Sequence, residues 1–130
     1  AMFYDEIQDM NQGIYTIIGE RPVDLSGGQK QRVSISRAFF NQAGIIILDD
    51  TFSALDNRTE NEVLRNVKEM TKNKICIIIS NRISDVKEAD HIVVLDEGRI
   101  IEEGNHEDLI RMQGSYYEFY QNQIEQSNFN

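Results

Sequence analysis

Two stretches of this chain are apolar without interruption, Ile45-Ile46-Ile47-Leu48 and Ile75-Cys76-Ile77-Ile78-Ile79. Each is strand-length, rich in β-branched residues and bounded by polar or turn residues, which predicts buried strands over 45–49 and 74–80. Around them the period lengthens to that of a helix. Residues 26 to about 41 carry Ile35, Ala38 and Phe39 on one side, and Gly44 ends that segment. Residues 59–70 place Val63, Val67 and Met70 on one face. Upstream, residues 3–19 read as one or two short helices ending near Gly13 and Gly19, and Pro22 disfavours helix at Arg21. Downstream, short helical turns fall around Asp85–Glu88. Strands over 91–95 and 99–102 are joined through Asp96-Glu97-Gly98 as a hairpin. Gly104 ends the hairpin, Asn105 or His106 starts a helix through Met112, and a last helix runs from Ser115 to about Gln126. Its stripe of Tyr116, Tyr117, Phe119, Tyr120 and Ile124 reads as packing on the domain. Unbroken apolar strands alternating with helices predict an α/β fold, with a mainly parallel sheet covered on both faces.

Composition narrows the function classes. The 130 residues suffice for one domain with a sizeable core. A net charge of −9 argues against a nucleic-acid surface, which needs clustered Lys and Arg. No apolar run approaches the length of a membrane span. The single cysteine, Cys76, lies inside an apolar strand and reads as a small core residue in a reducing setting. His91 and His106 have no second ligand at metal spacing. Glu102-Glu103 and Glu107-Asp108 read as solvated surface.

The chemistry concentrates in two places. Ser26-Gly27-Gly28 opens a helix, so a hydroxyl, unpaired backbone N–H groups and the positive end of the helix dipole face one point, where an anion would sit. The simpler reading is a glycine turn that caps the helix. Asp49 and Asp50 close the first buried strand, at the carboxyl end where parallel sheets bind ligands. One such carboxylate can hold a Mg²⁺ water and the next can orient an attacking water; alternatively, either merely caps the turn. Order and spacing favour the chemical readings: Leu25-Ser26-Gly27-Gly28-Gln29, then Ile45 to Asp49, then Ser53-Ala54-Leu55-Asp56.

On those residues the chain resembles the C-terminal part of the nucleotide-binding domain of ABC transporters, most closely the exporter type. Residues 25–29 are similar to the signature motif, 45–49 to the Walker B strand and 53–56 to the D-loop. Thr16-Ile17-Ile18-Gly19-Glu20-Arg21 resembles the exporter X-loop. Residues 89–100 and 104–109 resemble the family's C-terminal hairpin and helix, which chromosome-associated and repair ATPases with the same signature lack. The resemblance implies a partial P-loop ATPase fold: helical subdomain with X-loop and signature helix over 1–44, the C-terminal half of the ATPase core over 45–113, and a C-terminal helix over 114–130. It implies ATP and Mg²⁺ as cofactors. Ser26, Gly27, Gly28 and Gln29 would touch ATP held by a second nucleotide-binding domain, and Asp49 would serve Mg²⁺ on this chain's own side. Asp56 would couple the two sites, and Glu20 would contact a transmembrane domain at the cytoplasmic face of the membrane.

Three departures qualify the match. No G-x-x-x-x-G-K-S/T sequence occurs, so the phosphate loop is missing and the expectation is a partial domain that binds ATP poorly by itself. Asp50 stands where the family has the glutamate that orients water; it is one methylene shorter, and about 1 Å of displacement costs on the order of a hundredfold in rate. Asn81 stands where the switch histidine belongs, and it donates an N–H but carries no charge. Together they imply a degenerate own-side catalytic site beside an intact signature, as in exporters built from two different halves. The alternatives are a non-hydrolysing regulatory module, or a piece inactive in isolation.

Overall fold

A computed structural model describes residues 4–10, 12–17, 25–40 and 43–128. The chain divides into two compact units, Ala1–Ile79 and Ser80–Asn130. The first contains α1 (Tyr4–Gln8), a single 3₁₀ turn (Gly13–Tyr15), α2 (Gly27–Phe40), β1 (Ile45–Asp49), α3 (Asn57–Met70) and β2 (Ile75–Ile79). Of the one or two short helices expected over 3–19, the described residues hold α1 and the 3₁₀ turn, and Gly19, Glu20 and Asn41 lie outside the described residues.

β1 and β2 pair in parallel with Ile45 opposite Ile75 and Asp49 opposite Ile79. Side chains alternate across a strand, so this register sends Ile46 and Leu48 to one face and Ile45, Ile47, Ile75, Ile77 and Ile79 to the other. On the first face they meet Ile35 and Phe39 of α2, Val63 and Val67 of α3, and Phe52 and Leu55 of the connecting turn. Cys76 packs at the edge of this cluster, and burial pushes its thiol pKa up. The five isoleucines of the second face are each 45–60 % exposed. The predicted two-sided burial thus holds for one face, because α2 and α3 both lie on it. Met70 also departs from expectation: it is exposed while Val63 and Val67 are buried.

The second unit contains α4 (Ile83–Val86), the hairpin β3 (Ile92–Asp96) and β4 (Arg99–Gly104), α5 (His106–Met112) and α6 (Ser115–Asn128). The hairpin turns through Glu97 and Gly98 at φ +44° and +74°, a two-residue turn with both φ positive that suits strand twist and that glycine enters without strain. Asn105 caps α5, its side chain accepting the Asp108 N–H at 2.9 Å. Leu109, Tyr116, Ile83 and Ile92 form the core. Of the aromatic stripe on α6, Tyr116 is buried and Tyr120 packs on this core, whereas Phe119 and Ile124 remain exposed. Glu102 is not free surface: its carboxylate accepts the N–H groups of Ser115 and Tyr116 at 2.5 and 3.1 Å, capping α6 from the hairpin.

Candidate nucleotide site

The turn at the start of α2 is tied to itself. Gln29 N–H donates to Ser26 Oγ at 3.2 Å, while Ser26 N–H donates to Gln29 Oε1 at 2.9 Å. This reciprocal capping box uses the serine and glutamine of the predicted motif and fixes the first helical turn. The Gln29 amide goes on to donate to Glu6 at 2.8 Å, and the other oxygen of Glu6 pairs with Arg32 at 2.6 Å. A side chain of α1 thereby holds α2 at two positions. Among the described residues, the N–H groups of Gly27 and Gly28 have no acceptor, as expected for the first turn of a helix. The capping and anion-binding readings are compatible: the serine oxygen caps, and two N–H groups have no acceptor among the described residues.

The glycines have a second reason to be glycine. A Cβ on Gly27 would lie 3.3 Å from Ala54 Cβ, and one on Gly28 would lie 3.2 Å from the Ala54 carbonyl oxygen and 3.3 Å from Leu55 Cδ2. The helix start therefore sits directly on segment 53–56. Gln31, which the sequence reading passed over, joins the two: its Nε2 donates to Ser53 Oγ at 3.1 Å and its Oε1 accepts the Ala54 N–H at 3.0 Å. A hollow of about 370 Å³ lies along this seam, lined by Ser26, Gly27, Gly28, Arg32, Ala54, Leu55, Asp56 and Thr59. Asp56 is the N-cap of α3, accepting the N–H groups of Arg58 and Thr59, each at 3.1 Å. Hydrogen bonds from the Thr59 hydroxyl and then its backbone hold the carboxyl below its usual pKa.

Asp49 and Asp50 do not line that hollow. They close β1, where the Asp50 N–H continues the sheet by donating to the Ile79 carbonyl at 2.9 Å. Asp50 lies at φ +45°, an uncommon backbone region that aspartate tolerates better than most residues. The turn is closed by Ser53 Oγ donating to the Asp50 carbonyl at 3.2 Å. Both side chains are exposed, and among the described residues neither carboxylate has a partner. No group of three or more His, Cys, Asp or Glu side chains gathers among the described residues as a metal cage. Two free carboxylates nevertheless match Mg²⁺, which takes one or two carboxylates together with phosphate oxygens and water.

Asn81 belongs to the second unit, in the loop between β2 and α4. Its side chain is exposed and has no partner among the described residues, whereas its carbonyl accepts Gln123 Nε2 at 2.7 Å. The loop is also held by Ser80, whose Oγ donates to Asp85 at 2.5 Å and accepts the Arg82 N–H at 3.0 Å. Glu20 lies outside the described residues. Sequence reading missed Glu6, Gln31 and Gln123, because contacts between residues 22 to 42 positions apart leave no local pattern.

The family model of the ABC transporter matches residues 5–53. The chain is 42% identical over 126 residues to the ATP-dependent lipid A-core flippase of Acinetobacter baylyi, covering 97% of this chain and 22% of that protein. It is 44% identical to the multidrug resistance-like ATP-binding protein MdlA of Escherichia coli, covering 95% of this chain and 21% of that one. Among solved structures, an Atm1-family bacterial ABC exporter with ATP bound superposes with a TM-score of 0.85 at 40% identity, over 93% of this chain and 21% of the exporter. The chain thus matches the ABC transporter family model over its first part and, over most of its length, the sequences and fold of ABC exporter proteins. It spans about a fifth of the length of the curated relatives it matches.

Proposed function

We propose that this chain provides the signature half of an ATP site in an ABC exporter, acting in trans on nucleotide held by a second, different nucleotide-binding domain. The observation that carries this reading is the capped Ser26–Gln29 turn, with the Gly27 and Gly28 N–H groups open among the described residues and the turn seated on segment 53–56. Two N–H groups at a helix start donate to phosphate oxygens without reorganisation, which is where electrostatic stabilisation is most effective. The Ser26 hydroxyl, which accepts from Gln29, keeps its own proton to donate. Asp56, through the hollow it shares with Ser26 and Gly28, links this turn to the start of α3.

On the chain's own side, Asp49 would hold Mg²⁺ and Asp50 would orient water from a carboxylate one methylene shorter than glutamate. Asn81 would offer a neutral N–H in place of a switch histidine. Bound MgATP supplies the phosphoanhydride that drives transport; these residues bind and orient it, and the departures at 50 and 81 leave this side slow or silent. Among the described residues no helix is long and apolar enough to cross a membrane. The transport path would then belong to a transmembrane domain, with this domain on the cytoplasmic face and residues around Glu20 in contact with it.

The test is ATP hydrolysis by the complete transporter that contains this chain. Ser26→Arg removes most turnover, whereas Asp50→Asn removes little. Equal losses from both changes would defeat the asymmetric reading.

A further inference from the structure

We infer that Gln123, on α6, is a positioning residue for the loop that carries Asn81. The inference deepens the proposed function and rests on its reading of residue 81. One amide spans the loop: Nε2 donates to the Asn81 carbonyl at 2.7 Å, and Oε1 accepts the Ile83 N–H at 2.9 Å. The two contacts reach across 42 and 40 residues of sequence. An uncharged amide suits this task, because it presents a donor and an acceptor at a fixed separation on one rigid plane.

The surroundings make the clamp specific to residue 81. On its C-terminal side the loop is anchored in the core by Ile83 and Asp85, both buried. Ser80 ties the loop internally, through Asp85 and the Arg82 N–H. The backbone at Asn81 is therefore held from two sides, while its side chain stays outside and without a partner among the described residues. This arrangement fixes where a side chain starts and leaves it free to meet something beyond the unit. Nor does α6 need Gln123 in order to dock. Tyr116 is buried, Tyr120 packs on the same core, and Glu102 caps the helix start. Gln123 thus spends both polar atoms on the loop, making the C-terminal helix and residue 81 one mechanical piece.

Hydrogen exchange on this chain tests the clamp, and turnover by the complete transporter tests its use. Gln123→Leu raises exchange of the Ile83 amide about tenfold or more, while the Leu109 and Tyr116 amides keep their protection. Gln123→Glu keeps the acceptor and therefore keeps Ile83 protected. An unchanged Ile83 amide in Gln123→Leu overturns the clamp. So does loss of protection at Ile83, Leu109 and Tyr116 together, which would make Gln123 only a docking residue. For turnover, Asp50→Glu with Asn81→His raises kcat, and adding Gln123→Leu cuts that gain about tenfold with KM for MgATP unchanged. No loss of the gain on adding Gln123→Leu overturns the positioning role. No gain from the first two changes overturns the reading of residue 81, and the exchange result still decides the clamp.

Discussion

The turn at the start of α2 and the acid pair at the end of β1 are both candidate parts of a nucleotide site, yet they are built in opposite ways. The turn is held through its side chains: Ser26 and Gln29 cap each other, Glu6 holds Gln29, and Gln31 ties the helix to the D-loop segment. The acid pair is fixed through its backbone alone, and its carboxylates have no partner among the described residues. A surface that must meet a ligand held elsewhere gains by being rigid beforehand, since no ordering cost is then left for the moment of contact. Under the proposed function the acid pair is the opposite case. Its carboxylates would stay unpaired until the cation of bound nucleotide met them.

That contrast is most easily broken at the glycine seam. Gly28→Val drives a branched side chain against the Ala54 carbonyl and Leu55, which already lie 3.2 and 3.3 Å from the Cβ position. Overpacking of this kind costs about 1–3 kcal/mol, read as a lowered midpoint in urea unfolding. Gly28→Ala is milder, because better helix propensity offsets roughly 0.5–1 kcal/mol of the strain. If Gly28→Val unfolds at the same denaturant concentration as the parent, the helix start does not rest on the D-loop segment.

The next effect concerns how the turn is tied. Gln31→Leu removes two hydrogen bonds to Ser53 and Ala54, at about 1–3 kcal/mol when each contributes ~0.5–1.5. Exchange of the Ala54 amide should quicken with it. The dressed and bare regions then differ directly: Ser26→Ala loses the helix cap for about 1 kcal/mol, whereas Asp50→Asn changes stability by less than ~0.5 kcal/mol. A large loss from Asp50→Asn would mean that this carboxylate has a structural partner.

Much of this was legible in the sequence, for physical reasons that differ by region. β1 was readable to the residue, because a strand bounded by Gly44 and two acids has sharp edges. The helix that follows was read from Thr59, whereas α3 begins at Asn57 with Asp56 as its cap. The uncovered isoleucine face was not readable, since a continuous apolar run reads the same whether one face or both meet helices. Glu102 was misread for a related reason: an acidic pair on a strand reads as solvated until a helix start is seen to lie against it. Of the candidate site, the Ser26-Gly27-Gly28 turn and the two acids stood out by residue type and position, while Gln29, Asp56 and Asn81 entered only through the family resemblance. The residues that hold them, Glu6, Gln31 and Gln123, are visible only once the chain is folded.

The smallest effect separates the two regions by charge. Asp56 caps α3 as a carboxylate, and the Thr59 hydroxyl, followed by the Thr59 and Arg58 backbone groups, lowers its pKa below the ordinary value of 3.8. A group whose folded pKa lies below its unfolded one contributes stability above the unfolded value, and loses it as pH falls through the folded value. The contribution of Asp56 is therefore complete above about pH 4 and fades below it. Asp56→Asn keeps a capping oxygen without a titrating proton, so the start of α3 becomes insensitive to pH in that range. Amide exchange at Arg58 and Thr59 between pH 5 and pH 3, corrected for the intrinsic rate, reads the difference. In the parent both amides lose protection as the acid is reached, and in Asp56→Asn they hold it. Asp50, whose carboxylate has no partner among the described residues, provides the control: Asp50→Asn leaves the acid response of α3 as it was. If instead the parent and Asp56→Asn respond alike, the cap is not held by charge, and the D-loop segment owes its place to the glycine seam and Gln31 alone.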